Sequence, residues 1–211
     1  MTQLLLILLP LLCPATAADP LPPLWGGSQH WSSSVLFTDE ADSPLPNKTW
    51  PMTYFYDETI KSELYQHGEG NGDMVCINVA HYPPGDPCNV LTAPDGHTYI
   101  VHLETNSCCR SPRHLGMLKS TWMINSNTTY NGTATINGEL ADQWTCMGSV
   151  NGENNYAATT TEDRKPVAFW EEKNNLTKRW DFVLDTYDVS QPDSSVFEIP
   201  DSCTKICSLR T

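Results

Sequence analysis

The chain of 211 residues carries 25 acidic and 12 basic residues, a formal net charge of −13 with histidine neutral. A field of that sign repels phosphate backbones and excludes nucleic acid as a partner. The length suits one domain with its own core, and no apolar run reaches the ~18 residues that a membrane-spanning helix needs.

Residues 1–18 (MTQLLLILLPLLCPATAA) join a short leucine-rich run to a small-x-small site at Ala15-Thr16-Ala17. This pattern reads as a signal peptide cut after Ala17 or Ala18, and it predicts a secreted protein or one of the lysosomal lumen. The polar C-terminus argues against a lipid anchor. Cys13 leaves with the signal, and Cys76, Cys88, Cys108, Cys109, Cys146, Cys203 and Cys207 remain. An odd set in an oxidising compartment implies three disulfides and one unpaired thiol, with connectivity not derivable from spacing. No repeated C-x-x-C pair is present, so no structural metal is expected. Sequons at Asn47, Asn127, Asn131 and Asn175 predict N-glycosylation in turn-like stretches.

Taken in order, residues 19–49 contain Pro20, Pro22, Pro23, Pro44 and Pro46, which disfavour both helix and central strand. They read as an extended leader on a domain that spans residues 50–207. Residues 52–57 (MTYFYD) are strand-prone, with residues 60–66 continuing or pairing with them, and GEGNGD is a tight turn. Residues 74–80 (MVCINVA) alternate as a strand would. Residues 98–103 (TYIVHL) form another strand, with Tyr99, Val101 and Leu103 inward and His102 outward. The adjacent Cys108 and Cys109 should each find a distant partner and staple their loop at two places.

Residues 115–124 read as a strand or one helical turn, and residues 125–138 as a glycosylated loop or short edge hairpin. Residues 139–146 and 155–160 form strands across an Asn151-Gly152 turn. Val167–Glu171 and residues 178–187 then make a closing hairpin. No 3.6-residue period persists, so the fold is mainly β with little helix. The short connections imply an antiparallel sheet, strongly curved as a half-barrel or split into two stacked sheets.

Few residues offer reactive chemistry. Cys108 or Cys109 with His102 or His114 would make a thiol nucleophile and base, but secretion favours oxidation. No G-x-S-x-G elbow is present. Glu171, Glu172, Asp181 and Asp185 could act as acid–base groups, although a solvated strand face accounts for Asp181 and Asp185. Asp185, Asp188 and Asp193, or Asp39, Glu40 and Asp42, could bind calcium weakly, without any EF-hand spacing. No cofactor and no resident metal are expected.

Trp144-Thr145-Cys146, Asn155-Tyr156, Lys165-Pro166-Val167 with Phe169, the strand Trp180–Tyr187 and the run Ser195–Cys203 together resemble ependymin-related secreted proteins. They are also similar to the lipoprotein-carrier type of curved half-barrel. The resemblance covers residues 52–203 and implies a non-enzymatic protein that holds a hydrophobic, lipid-like ligand in the concavity of its sheet. It also implies dimerisation through that sheet, and it singles out Cys146 and Cys203 as the family's cysteines. The ligand-lining candidates are Val167, Phe169, Trp180, Phe182 and Leu184, with Trp122 and Trp144, and Tyr54 and Tyr56 at the rim. The rival reading is a recognition module with its aromatic residues exposed and its centre filled.

Overall fold

A single sheet organises the described residues, and its middle is built from the part of the chain with the most proline on either side. The computed structural model describes residues 18–39, 48–70, 73, 75–113, 116–147, 152–173 and 176–208. The strands are β1 (His30–Asp39), β2 (Thr49–Asp57), β3 (Ser62–His67), β4 (Cys88–Thr92), β5 (Thr98–His102), β6 (Ser107–Arg110), β7 (Thr129–Ile136), β8 (Glu139–Met147), β9 (Glu153–Thr159), β10 (Pro166–Lys173), β11 (Leu176–Phe182) and β12 (Lys205–Ile206). They lie in the order β12-β6-β5-β4-β3-β2-β1-β11-β10-β9-β8-β7 as one open sheet rather than two stacked ones. Every pairing is antiparallel except β12 with β6, where the chain end returns alongside β6 in the same direction.

β1 corrects the reading of residues 19–49 as a leader without central strand. It pairs with β2 from His30↔Asp57 to Thr38↔Thr49 and with β11 from Val35↔Phe182 to Asp39↔Lys178. The physical reason is local: the prolines flank this segment, and between them Trp31, Ser33, Val35 and Phe37 alternate inward with period two.

The sheet's curvature follows from one side chain. Trp25, on a short 3-10 turn at Trp25–Gly27, has its ring 6.3 Å from that of Tyr54 on β2 and 5.3 Å from that of Tyr156 on β9. Those strands are four steps apart, roughly 19 Å across a flat sheet at about 4.8 Å per step. One indole reaches both because the sheet wraps around it. Trp25 also meets Trp31, Phe169 and Phe182, so the concave core is an aromatic cluster centred on the leader.

Strands β3 to β5 are covered on both faces. Leu64, Leu91, Tyr99 and Val101 pack outward beneath Phe197, while Val90 and Ile100 pack inward with Cys76, Cys88 and Cys207. All of β5 is therefore buried, and His102 is not outward as alternation suggested. Its Nε2 lies 3.0 Å from the Asp86 carboxylate, with Tyr82 edge-on at 4.7 Å. Residues 75–79 differ too: they form a single π-type turn, Val75–Val79, with no strand partner, and Cys76 joins it to Cys88.

Cys108 bonds to Cys203 and Cys109 to Cys207, so the doublet does staple two distant places. Cys146 is buried and unpaired. Of the two cysteines that the family resemblance singles out, Cys203 is therefore bonded and Cys146 is not, and β8 and the β6 edge stand near opposite ends of the strand order. These disulfides place the chain in an oxidising environment. No helix of the described residues is long and apolar enough to cross a membrane. Residues 1–17, Glu40, Asp42, Asn47, Asn151 and Asn175 lie outside the described residues; Asn127 precedes β7 and Asn131 sits at its bulge, both exposed.

Candidate functional site

The concave face is mostly filled by the protein's own chain. Two segments cross it. The leader brings Trp25, and residues 116–126 bring Met117, Leu118, Trp122 and Met123. They are tied together by the Trp25 amide donating to the Ser120 carbonyl at 2.7 Å. Tyr56 donates from β2 to the Leu118 carbonyl at 2.8 Å, and Trp144 donates its indole N–H to the Pro20 carbonyl at 3.1 Å. Trp144, Tyr56 and Tyr54 thus support the covering segments.

A hollow of about 350 Å³ remains between these segments and the sheet. One wall is aromatic. Phe37, Trp180 and Phe169 come from the neighbouring strands β1, β11 and β10, with ring centroids 5.2 Å and 5.0 Å apart along the row. The register sets this row directly, since Phe37↔Trp180 and Trp180↔Phe169 are cross-strand partners. Met117 and Leu118 continue the apolar surface, and a narrow crevice beneath it runs inward past Phe182 to Trp25.

The facing wall carries the polar groups, beside Val75 and Val90. Glu63, Thr92 and Thr98 are cross-strand partners on β3, β4 and β5, all buried and all lining the hollow. Tyr54 donates to Glu63 Oε2 at 2.9 Å and itself accepts the Trp25 indole N–H at 3.1 Å; Tyr65 also hydrogen-bonds this carboxyl. Burial outweighs both hydroxyls and pushes Glu63 up to about 8. The Tyr54 and Tyr65 hydroxyls are raised as well, by the same burial and then by Glu63.

Asp73, Glu171 and Lys178 complete the rim. Burial alone would raise Asp73, but the His67 Nε2 at 3.3 Å and the Val75 amide at 2.8 Å hold it below the usual carboxylate range. Glu171 and Lys178 are cross-strand partners of opposite charge.

The structure divides the sequence-predicted lining residues. Phe169, Trp180 and, at the inner crevice, Phe182 share one hollow, and Trp122 packs edge-on against Phe169 at 5.9 Å. Val167 and Leu184 are elsewhere. A bulge between Pro166 and Ala168 shifts the register, so Val167 packs with Ala141 and Ala157, beside Leu184 and Trp170. Trp144 lies under the leader rather than at the hollow. Glu63 and Phe37, the residues that define the two walls, were not among the candidates. A charged residue inside SELYQH carries no mark of burial until its strand is known to have neighbours on both sides.

The reactive-group candidates separate. Cys108 and Cys109 are disulfide-bonded, which removes the thiol nucleophile, and His114 lies outside the described residues. Asp181 is held by Arg179 at 2.8 Å and by Asn137 at 2.6 Å. Glu172 accepts from the Trp170 indole. Asp188 and Asp193 each close a local turn with Ser190 and Ser195. No three His, Cys, Asp or Glu side chains converge as metal ligands among the described residues.

No protein-family model and no curated protein matches the sequence. Among solved structures, the chain is similar to an uncharacterized conserved protein from Thermus thermophilus, with a TM-score of 0.53 and 10% identity over 85% of this chain and 90% of that one. It is also similar to the Mycobacterium tuberculosis lipoprotein LppX, at a TM-score of 0.41 and 8% identity over 78% and 91%. A chain of the Pseudomonas aeruginosa MucA/MucB complex matches at 0.40 and 11% identity, over 84% of this chain and 58% of that one. The first of these likenesses is one of fold.

Proposed function

We propose that this protein holds a small hydrophobic or amphiphilic molecule, without covalent chemistry or cofactor, in the hollow of its curved sheet. The observation that carries the reading is the 350 Å³ hollow with the Phe37–Trp180–Phe169 wall. Its volume lies at the lower end of the roughly 300–1,000 Å³ typical of ligand sites. Leader and residues 116–126 fill the rest of the concavity, so the occupant is a single short chain or ring rather than a two-chain lipid. The recognition-module alternative calls for exposed tryptophans, and among the described residues every tryptophan is buried or half-buried. Secretion, glycans on Asn127 and Asn131, and kinship with ependymin-related proteins belong to the same proposal.

The test is native mass spectrometry of protein from a eukaryotic secretory host, combined with titration of a C10–C12 single-chain probe followed by tryptophan emission. Saturable one-to-one binding that weakens at least tenfold in Trp180→Ala supports the reading. Binding untouched by Trp180→Ala places the ligand elsewhere and sinks it.

A further inference from the structure

The two walls of the hollow differ in kind, and their difference selects a ligand class. Four aromatic residues line it: Phe37, Tyr65, Phe169 and Trp180. Among the described residues, its charged lining is three carboxyl groups, Glu63, Asp73 and Glu171, against a single ammonium, Lys178. Lys178 and Glu171 face each other across β11 and β10, so their charges offset and the acidity at the Glu63 end is left over. Ring faces carry the negative part of the aromatic quadrupole and attract cations.

We infer that the hollow accepts the head of a cationic amphiphile, its ammonium nitrogen seated between the Glu63 carboxyl and the Phe37–Trp180–Phe169 wall; this rests on the ligand-binding reading above. Glu63 suits that role by geometry. Its carboxyl accepts from Tyr54 and Tyr65, and an ionised carboxyl has about four acceptor positions, so capacity remains toward the cavity. Tyr54 is itself fixed by Trp25, so the group is held in place before any ligand arrives. An anionic head would gain nothing from Glu63 and would meet the Asp73 carboxylate in a site of low dielectric, and a neutral head would gain no charge term there.

Cation binding then couples to proton release. Burial keeps Glu63 protonated in the empty site at neutral pH, so seating an ammonium expels that proton. The groups facing Glu63 are the Tyr54 and Tyr65 hydroxyls, Thr92 beside it, and Asp73, Glu171 and Lys178 around the rim; His67 stands behind Asp73. The Glu63 share of the pH dependence is therefore isolated by substitution at Glu63.

The experiment compares decyltrimethylammonium, decanol and decyl sulfate, each below its aggregation limit, by calorimetry on the full chain at pH 6 and pH 8.5. The quaternary head does not titrate, so any pH effect belongs to the protein. The expected result is an ammonium affinity at least ~10-fold above decanol at pH 8.5, shrinking several-fold at pH 6. Glu63→Gln is expected to bring the ammonium down to the level of decanol in the same variant, with its folding checked independently by near-UV circular dichroism and a cooperative unfolding transition. Equal binding of ammonium and decanol, tighter binding of sulfate, or a preference kept in Glu63→Gln overturns the inference and leaves the hydrophobic site standing. Failure of all three probes overturns both.

Discussion

The indole N–H of Trp25 donates to the hydroxyl of Tyr54 at 3.1 Å, linking a residue of the proline-rich leader to the buried face of β2. Tyr54 passes the connection on to Glu63. One leader residue therefore plugs the concavity, orients the polar wall and, by contacting both β2 and β9, sits at the centre of curvature. The leader is part of the folding unit.

Trp25→Ala should cost about 3–5 kcal/mol, the range for emptying a buried large aromatic position. Gly26→Ala should also be severe. Gly26 adopts φ +60°, and a Cβ there would run into the Trp31 indole. Chemical denaturation with an unchanged m-value checks both. A loss below about 1 kcal/mol for Trp25→Ala would show that the leader only decorates a sheet that folds without it.

Glu63 makes stability depend on pH. Its folded value of about 8 lies above its ordinary 4.5, so its contribution is fully present below about 4.5 and is lost as pH rises toward 8. Glu63→Gln removes that dependence. The wild type should lose Tm relative to Glu63→Gln between pH 5 and pH 8.5, and the difference between the two curves cancels the other titrating groups. Parallel curves would mean that Glu63 ionises normally.

Thiol chemistry distinguishes Cys146 from the other six cysteines between Cys76 and Cys207. In native protein without reductant no thiol of this set should react, because Cys146 is buried and burial raises its pKa. One should appear on denaturation. Replacing Cys108 and Cys203 together by alanine should lower stability by about 2 kcal/mol, since Cys109–Cys207 still closes the long loop and the second bridge adds only a short ring. Three reactive thiols on denaturation would contradict the pairing.

The parts of this fold that could be read from sequence are those set off by strong turn residues. Strands β8 to β11 are separated in the sequence by Asn, Gly, Asp and Lys, although β9 is buried at five consecutive positions, Asn155–Thr159. Strands β3 to β5 are covered on both faces, which erases alternation and misassigned His102. Val75, Ile77 and Val79 imitate a strand, but this turn has no neighbour to pair with and is tied to β4 by Cys76–Cys88. The aromatic wall was half legible, because Phe169 and Trp180 lie in one hairpin. Phe37 joins them only through the β1–β11 register, and Glu63 meets them only across the curvature. One bulged residue moved Val167 to the opposite side.

Arg164 and Asp142 offer a last test, at the far end of the sheet from the β6 edge. Arg164 donates to Asp142 and to the Thr159 carbonyl, and its guanidinium lies over the Trp144 ring at 5.7 Å. Tyr130 at 2.8 Å and Thr133 at 2.6 Å give the same carboxylate two further donors. Burial alone would raise Asp142, but the Thr133 and Arg164 hydrogen bonds, with Tyr130, hold it below the usual range. A depressed carboxylate stabilises above its ordinary value near 3.8 and loses that contribution as pH falls through the folded value. Arg164→Met keeps the packing over Trp144 but leaves the carboxylate buried with neutral donors only. At pH 7 it should cost about 2 kcal/mol, tempered by the partial exposure of Arg164. The cost should shrink as pH falls below the usual carboxylate range, since Asp142 loses its charge there in the variant first and then in the wild type. Urea denaturation of both proteins at the two pH values measures this, and a cost that does not change with pH would assign the effect to packing over Trp144 instead of to the ion pair.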